Sequence, residues 1–150
     1  MPVVRRLRQH KMILDTHVWI WVMMGNPNLR VGFRRAFAHS LKNLGVLISP
    51  LSVLEVGMLV EKKRIVLDRD VQEWIDEALD LPGMRLSTLT ARIAIQSSRL
   101  PGEVHGDPVD RILIATAHEE NAVLVTCDEK LLRYGEDRFV SVHDPSKQYS

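Results

Sequence analysis

The segment GDPVDRILIATAHEENAVLVTCDEK, residues 106–130, contains the pattern that decides the fold. Asp107 followed by Pro108 is typical of a helix start, because an aspartate side chain caps free backbone N–H groups and proline is tolerated at the first helical position. The helical run leads into AVLVT at 122–126, an apolar stretch that predicts a strand, and Asp128 comes shortly after it. The segment therefore predicts one helix and one strand of a parallel sheet, with acids before the helix and after the strand.

The same alternation extends over the rest of the chain. Short apolar segments predict strands, and stretches with apolar residues three or four positions apart predict the helices between them. Such a chain is typical of a single α/β domain in which a mainly parallel central sheet of about five strands is flanked by helices. Besides AVLVT, the predicted strands are MIL at 12–14, VLIS at 46–49, MRLS at 84–87 and FVSV at 139–142.

Composition limits the class of protein. The 150 residues are enough to bury a core without disulfides, and the single cysteine, Cys127, cannot form an internal one. No Cys/His cluster indicates zinc, so a reducing, cytoplasmic location is expected. No apolar run reaches the roughly 18 residues of a membrane span, and the basic start MPVVRRLRQHK lacks the apolar segment of a signal peptide. The net charge of +1 neither favours nor excludes nucleic acid as a partner.

Acidic residues follow the predicted strands. Asp15 follows MIL, a helix containing Glu55 follows VLIS, and Asp128 follows the strand at 122–126. Asp107 and Asp110 open the helix that leads into this last strand. Because the strand-to-helix turns of a parallel sheet meet at its carboxyl edge, we expect these acids to lie close together.

Each acid also has a purely structural explanation. Asp107 fits a helix cap, and Asp15 and Asp128 also precede helices and could be caps. Asp110 is less well explained, because its short side chain reaches back poorly in a capping box. Glu55 lies in a strongly apolar helix, so it is either on a narrow solvent-exposed stripe or held inward by a cation, since an unpaired buried charge costs several kcal/mol.

The order Asp15, Glu55, Asp110, Asp128 resembles the acidic quartet of the PIN-domain ribonucleases, and more closely that of the VapC-type toxins of toxin–antitoxin pairs. Asp107 resembles a supporting residue in the DPxDR form of the motif. The resemblance is carried by MILDTHVWIW, ISPLSVLEVGMLVEKKRI and HGDPVDRILIATAHEENAVLVTCDEKL, and it runs from Met12 to about Val142. It divides the chain into an N-terminal basic extension at 1–11 and a PIN-like nuclease domain at 12–150.

The resemblance implies an endoribonuclease that hydrolyses RNA with a divalent metal ion. Carboxylate ligands without sulfur or paired histidines favour Mg²⁺ or Mn²⁺ over zinc. We expect Asp15 and Asp110 to hold the principal ion, with Asp128 and Glu55 completing the site directly or through water, around one ion or two. Two further residues, Thr16 and Thr126, are predicted to support the carboxylates or a phosphate, or simply to close turns.

The resemblance also implies a cognate antitoxin, a homodimer, and a toxin that inhibits translation and growth. One segment has the composition expected of a partner-binding surface, because HVWIWVMM at 17–24 is apolar on every face. Burial in the core explains part of this pattern. The remainder, with Trp19 and Trp21, predicts a contact with another chain.

Three other functions are compatible with an α/β chain that has clustered acids. A metal-dependent phosphatase of the haloacid dehalogenase type requires a second aspartate two residues after the first, where this chain has His17. A response-regulator receiver domain requires a pair of acids before its phosphorylated aspartate, and that pair is missing. A PIN-like fold acting as a non-catalytic binding module is disfavoured because all four acids are present.

Overall fold

The apolar segments form one five-stranded sheet in the computed structural model, which describes residues 7–104 and 106–149. The strand order is β3-β2-β1-β4-β5, and every neighbouring pair is parallel, which confirms the predicted sheet. The last strand begins later than the predicted 139–142, because the chain still turns and bends over residues 137–140, with φ of 65° at Arg138. The strands are β1 (Met12–Leu14), β2 (Val46–Ile48), β3 (Met84–Leu86), β4 (Val123–Val125) and β5 (Val142–His143).

Three helices begin at capping residues that the sequence indicates, Asp15, Asp107 and Asp128. Asp107 precedes Pro108 and accepts the Val109 N–H at 2.9 Å, so its predicted role as a cap is confirmed. Along the described chain the helices after β1 are α1 (Thr16–Met24), α2 (Val31–Asn43), α3 (Pro50–Glu61), α4 (Val71–Asp80), α5 (Ala91–Ser98), α6 (Pro108–Glu120) and α7 (Glu129–Glu136).

Apolar side chains from the helices pack on both faces of the sheet. Trp19 belongs to this core: its side chain is fully buried, and its ring centroid lies 5.2 Å from that of Trp74 on α4. The assignment of Trp19 to a partner-binding surface was therefore wrong. Trp21 is half-buried, and Met24 at the end of α1 is 50% exposed. The all-round apolar pattern of α1 arises mainly because its side chains belong to the same core cluster as those of the sheet and α4.

A polar residue follows each strand of the sheet. The first residue after β1, β2, β3, β4 and β5 is Asp15, Ser49, Ser87, Thr126 and Asp144 respectively. Because all the strands are parallel, these side chains collect at the carboxyl edge of the sheet. The fold thus gives this edge a row of hydrogen-bonding groups over an apolar core.

The described part of the predicted N-terminal extension contacts the domain. Leu7 is fully buried in the core, and the Lys11 ammonium lies 2.6 Å from a carboxylate oxygen of Glu120 at the end of α6. Residues 1–6 lie outside the described part, so the domain boundary at residue 11 stays a prediction. Among the helices of the described residues, none is both long enough and apolar enough to span a bilayer.

Candidate active site

Asp15 is fixed at the centre of the carboxyl edge by three hydrogen bonds. Its backbone N–H donates to the Val125 carbonyl at 3.0 Å, which ties the end of β1 to β4. One carboxylate oxygen, Oδ1, accepts from the Thr16 N–H at 2.7 Å and thereby caps α1. The other, Oδ2, accepts from the Thr126 hydroxyl at 2.7 Å. Asp15 therefore both starts a helix and presents a buried, oriented carboxylate.

Thr126 connects Asp15 to Asp128. The fully buried Thr126 hydroxyl that donates to Asp15 also accepts the Asp128 backbone N–H at 3.0 Å. Asp128 is exposed, and its Oδ1 caps α7 by accepting from the N–H groups of Lys130 and Leu131 at 2.8 and 3.1 Å. Thr126 thus does more than close a turn, because it sets the spacing between two of the predicted site acids.

Asp110 is buried in the first turn of α6, and its environment opposes ionisation. Burial is the largest effect that raises the pKa of its carboxyl, which reaches about 7. Negative charges raise it further, in decreasing order those of Asp107, Asp15, Asp128 and Glu55. Every other acid that was predicted for the site is therefore close enough to Asp110 to act on it.

The environment of Asp15 also opposes ionisation of its carboxyl. Burial raises the pKa of its carboxyl, while the hydrogen bonds from Thr126 and Thr16 oppose that rise. The charge of exposed His17 also lowers the Asp15 pKa, and that of Glu55 raises it. The four predicted acids thus form one electrostatic group, although their side chains belong to four separate turns and helices.

Glu55 is half-buried in the second turn of α3. Its charge raises the pKa values of both Asp15 and Asp110, so it belongs with the acids and not on a remote solvent-exposed stripe. One turn earlier on α3, the buried Ser52 hydroxyl accepts from the Thr16 hydroxyl at 3.0 Å. This contact joins α3 to the start of α1. Ser52 was not predicted from the sequence, because a serine in the first turn of a helix is common and gives no distinctive signal.

The site has the donor chemistry that a hard divalent cation requires. Its donors are carboxylate and hydroxyl oxygens, and mutual repulsion of the carboxylates, visible in the raised pKa of Asp110, is what a cation would relieve. Within residues 7–104 and 106–149, no three His, Cys, Asp or Glu side chains are grouped closely enough to hold a metal ion. Mg²⁺ usually takes one or two carboxylates and keeps several waters, so these residues fit such an ion without forming a closed cage.

One cavity borders the acids, and another lies on a neighbouring surface. One, of about 310 Å³, is lined by Glu55 and His17 and has Lys62 and Arg64 at one side. A larger cavity, of about 770 Å³, lies between α6 and α7. Arg111 lines that larger cavity. Its guanidinium donates to two backbone carbonyls, Ser97 at 3.0 Å and Val104 at 3.1 Å, and so supports the loop before α6.

Comparison with known proteins gives consistent results. The model of the family described as PIN domain matches residues 12–137. The chain is 30% identical over 130 residues to Ribonuclease VapC22 of Mycobacterium tuberculosis, covering 87% of this chain and 96% of the relative.

Solved structures of similar fold come from toxin–antitoxin systems. VapBC2 from Rickettsia felis, bound to a DNA fragment from its promoter, matches with a TM-score of 0.61 and 16% identity, over 93% of this chain and 99% of that one. A toxin–antitoxin complex from Klebsiella pneumoniae matches with a TM-score of 0.61 and 19% identity, over 89% and 97%. VapBC-1 from nontypeable Haemophilus influenzae matches with a TM-score of 0.62 and 17% identity, over 91% and 99%. At these identities the likeness concerns the fold.

Proposed function

The chain belongs to the PIN domain family, and we propose that it is a divalent-metal-dependent endoribonuclease that acts as the toxin of a toxin–antitoxin pair. The observation that carries this proposal is the electrostatic group formed by Asp15, Asp110, Asp128 and Glu55 at one sheet edge. Buried carboxylates that repel one another lower stability, so a non-catalytic binding module would have no use for them. The similarity to Ribonuclease VapC22 supports RNA as the substrate.

The burial of the acids supports a division of roles. Asp15 and Asp110 are buried and held by the fold, so we assign them to hold the principal cation, which we propose to be Mg²⁺ or Mn²⁺. Asp128 and Glu55 are more exposed, and we assign them to complete the site directly or through water. Thr126 supports the site by fixing Asp15 and Asp128 relative to each other.

Two further residues have supporting roles. Thr16 donates its backbone N–H to Asp15 and its hydroxyl to Ser52, so it holds α1 and α3 in register at the site. Asp107 caps α6 and is exposed, and by starting the helix it places Asp110 in the first turn. We expect a looser site without Asp107 and no working site without Asp110.

The proposed reaction is hydrolysis of an RNA phosphodiester. A divalent cation bound at the site supplies neutralisation of phosphate charge and activation of water. In this reaction Thr126 keeps the Asp15 carboxylate in a fixed orientation through its hydrogen bond. Glu55 or Asp128 accepts the proton of the attacking water. A positive charge beside Asp110 would lower its raised pKa, so the residue would be ionised when the site works.

The proposed partners follow from the same comparisons. Relatives of known structure are toxin–antitoxin complexes, which supports a cognate antitoxin for this chain, and we also propose a homodimer. Since the proposed substrate is cellular RNA and the effect is to inhibit translation and growth, we propose that the protein acts in the cytoplasm. We further propose that residues 1–11 are a basic extension of a nuclease domain at 12–150.

Cleavage of RNA by the purified chain, freed from any antitoxin, tests the proposed function. We expect cleavage with Mg²⁺ or Mn²⁺ and none in EDTA, and loss of cleavage in Asp15→Asn and Asp110→Asn. For Asp128→Asn the chain offers a matched control in Asp70→Asn, because Asp70 also caps a helix, accepting the Gln72 N–H at 3.0 Å, and its charge is not among those that act on Asp15 or Asp110. Full activity in EDTA, or equal loss in Asp128→Asn and Asp70→Asn, would contradict the proposed mechanism.

A further inference from the structure

A cavity of about 310 Å³ lies on the β5 side of the carboxyl edge, apart from the acidic group. It is formed by the start of α2 and by the residues that follow β5. We call residues 144–149 the C-terminal strap. The volume of the cavity lies at the lower end of the range of small-ligand sites, which is about 300–1,000 Å³. The family match ends at residue 137, so the strap and β5 lie beyond it.

The N-terminal end of α2, which carries the positive end of the helix dipole, borders this cavity. The helix has 13 residues, and the N-cap residue Arg30 makes no side-chain capping hydrogen bond. There is no acidic residue in the first turn of α2. A Cβ built on Gly32 in that turn would meet nothing within 4 Å, so the backbone there is open to approach. Free N–H groups and the helix dipole make such an end suitable for an anion.

Two cationic side chains flank the same cavity. The Arg30 Nε donates to the Ser146 carbonyl at 3.0 Å, and this bond holds the guanidinium between α2 and the strap. Lys147 is exposed on the strap, with its Nζ 5.6 Å from the centre of the Tyr149 ring. No acidic residue is among the described residues that line the cavity. Its lining therefore carries net positive charge.

The nearest acid on the strap, Asp144, is engaged elsewhere. Its Oδ1 accepts from the Ser146 N–H at 2.9 Å and from the Ser146 hydroxyl at 2.6 Å, and the Cys127 thiol donates to it at 3.4 Å. All three donors bind the same carboxylate oxygen, two of them from within the strap, and the charge of Asp144 still acts on His143 and Tyr149. Asp144 thus shapes the strap and does not contribute a lining side chain to the cavity.

His143 is a buried polar residue in the wall of this cavity. It is 2% exposed, and its Nδ1 has no hydrogen-bond partner. Its ring lies against Phe33 and Tyr149, with centroid distances of 6.1 and 4.8 Å. Burial lowers the pKa of His143 to about 4, so the ring is neutral at pH 7 and can offer an N–H without adding charge. An unpaired buried polar atom is costly, and a ligand contact after a small movement of the strap would satisfy it.

This cavity is connected to the acidic group by two hydrogen bonds. The Thr126 N–H donates to the His143 carbonyl at 3.0 Å, and the Thr126 hydroxyl donates to Asp15 at 2.7 Å. With strands about 4.8 Å apart, the end of β5 lies about 10 Å from the end of β1 along the sheet edge. One RNA strand can therefore reach both places.

We propose that this cavity binds a phosphate group of the RNA strand next to the nucleotide that is cleaved, with the adjoining base against the Tyr149 ring. The inference rests on the proposed ribonuclease function and adds to it a site for the flanking part of the substrate. The free N–H groups of α2, Arg30, Lys147 and His143 are the donors. Aromatic stacking of the base is sequence-tolerant, so this site would contribute affinity more than base specificity.

Gly32→Asp is the variant that tests the site most directly. It places a carboxylate in the first turn of α2, where the dipole favours it and where there is room, so folding should not suffer. The same carboxylate would repel a phosphate. Gly32→Ala adds the Cβ without the charge, so comparison with it separates the effect of bulk in the cavity from the effect of charge. Lys147→Gln removes one lining cation, and Lys42→Gln makes the same change near the other end of α2.

Binding is measured in an Asp15→Asn background, so that RNA is bound without being cleaved. The probes are inorganic phosphate, a nucleoside 5′-monophosphate and a short single-stranded RNA. We expect Gly32→Asp and Lys147→Gln each to weaken binding of the RNA about 10-fold, as the loss of one charge-assisted hydrogen bond implies. Lys42→Gln should bind as the background protein does, and Gly32→Ala should lose less affinity than Gly32→Asp. Thermal unfolding of each variant shows that the fold is kept.

The result that overturns the inference is unchanged RNA affinity in Gly32→Asp. If phosphate or the mononucleotide then still loses affinity in that variant, the cavity is a site for free phosphate groups and the assignment to RNA is wrong. The proposed catalytic function fails separately: a wild-type chain that binds RNA through this cavity but never cleaves it with Mg²⁺ or Mn²⁺ contradicts the ribonuclease and leaves the binding site standing.

Discussion

Replacing Asp110 by asparagine should stabilise the metal-free protein while it abolishes cleavage. The substitution keeps the size of the side chain and removes the charge that burial and four neighbouring carboxylates disfavour. The usual result of altering a buried polar residue is a loss of stability, so an increase would be specific to this electrostatic explanation. The prediction separates the role of Asp110 in function from its effect on the fold.

The size of the effect follows from the pKa of Asp110. Its ordinary value of 3.8 is raised to about 7 in the folded chain. The folded state therefore keeps a proton that the unfolded chain has lost between about pH 4 and pH 7, and wild-type stability falls as the pH rises through this window. At about 1.4 kcal/mol per pH unit the total cost above pH 7 is at most about 4 kcal/mol. Allowing for the new amide, we expect a net gain of about 2 kcal/mol, or roughly 4–8 °C in Tm.

Thermal and urea unfolding in EDTA from pH 4 to pH 8 measures this effect. Between pH 4 and pH 7 the difference in stability between Asp110→Asn and wild type should shift in favour of the variant, by at most about 4 kcal/mol. Added Mg²⁺ should stabilise wild type and have a smaller effect on the variant. Asp70→Asn is the matched control, because that aspartate caps α4 in solvent and is not one of the acids that act on Asp110.

Two outcomes would refute the electrostatic explanation. One is an Asp110→Asn variant that is less stable than wild type at pH 8 in EDTA. The other is a stability difference that has the same value at pH 4 and pH 8, since the excess proton of the folded state would then lie elsewhere. Loss of cleavage accompanied by either outcome would leave Asp110 as a functional residue but would remove the proposed repulsion within the site.

Three further predictions concern other parts of the chain. Thr126→Val should lower stability by about 1–3 kcal/mol and reduce cleavage, because a buried Asp15 oxygen loses its donor; Thr126→Ser should restore both in unfolding and cleavage assays. Trp19→Ala should cost about 3–5 kcal/mol in urea unfolding because Trp19 is in the core, whereas Met24→Ala on the exposed end of α1 should change stability by less than about 1 kcal/mol. Burial raises the pKa of the Cys127 thiol to about 11, so at pH 8 iodoacetamide should alkylate it roughly 100-fold more slowly than it alkylates cysteine in the unfolded chain; a rate equal to that in urea would contradict this burial.

Most helices and strands could be predicted from the sequence, because they depend on interactions within a few positions. Ser49 and Asp107 cap helices that begin with proline at the next position, as their spacing indicates. The predicted strand segments at 12–14, 46–49, 84–87 and 122–126 each contain an observed strand. The parallel sheet then follows from the alternation of strands with helices, which also predicts that Asp15 and Asp128 meet at one edge.

The sequence could not show which residues join the acids. Thr126 donates to a carboxylate 111 positions away, and Thr16 donates to Ser52, 36 positions away. These contacts depend on β1 lying between β2 and β4, and the order of strands in a sheet is a property of the assembled fold.

The sequence by itself determined the local elements, their caps and the identity of the acids. The tertiary structure decided three other features: that Trp19 lies in the core, that Asp110 keeps its proton to about pH 7, and that the start of α2 meets His143 and the C-terminal strap. The physical reason is the range of the interactions. Caps and hydrophobic periodicity act over a few residues along the chain, whereas burial, carboxylate repulsion and cavity shape arise only when distant segments pack together.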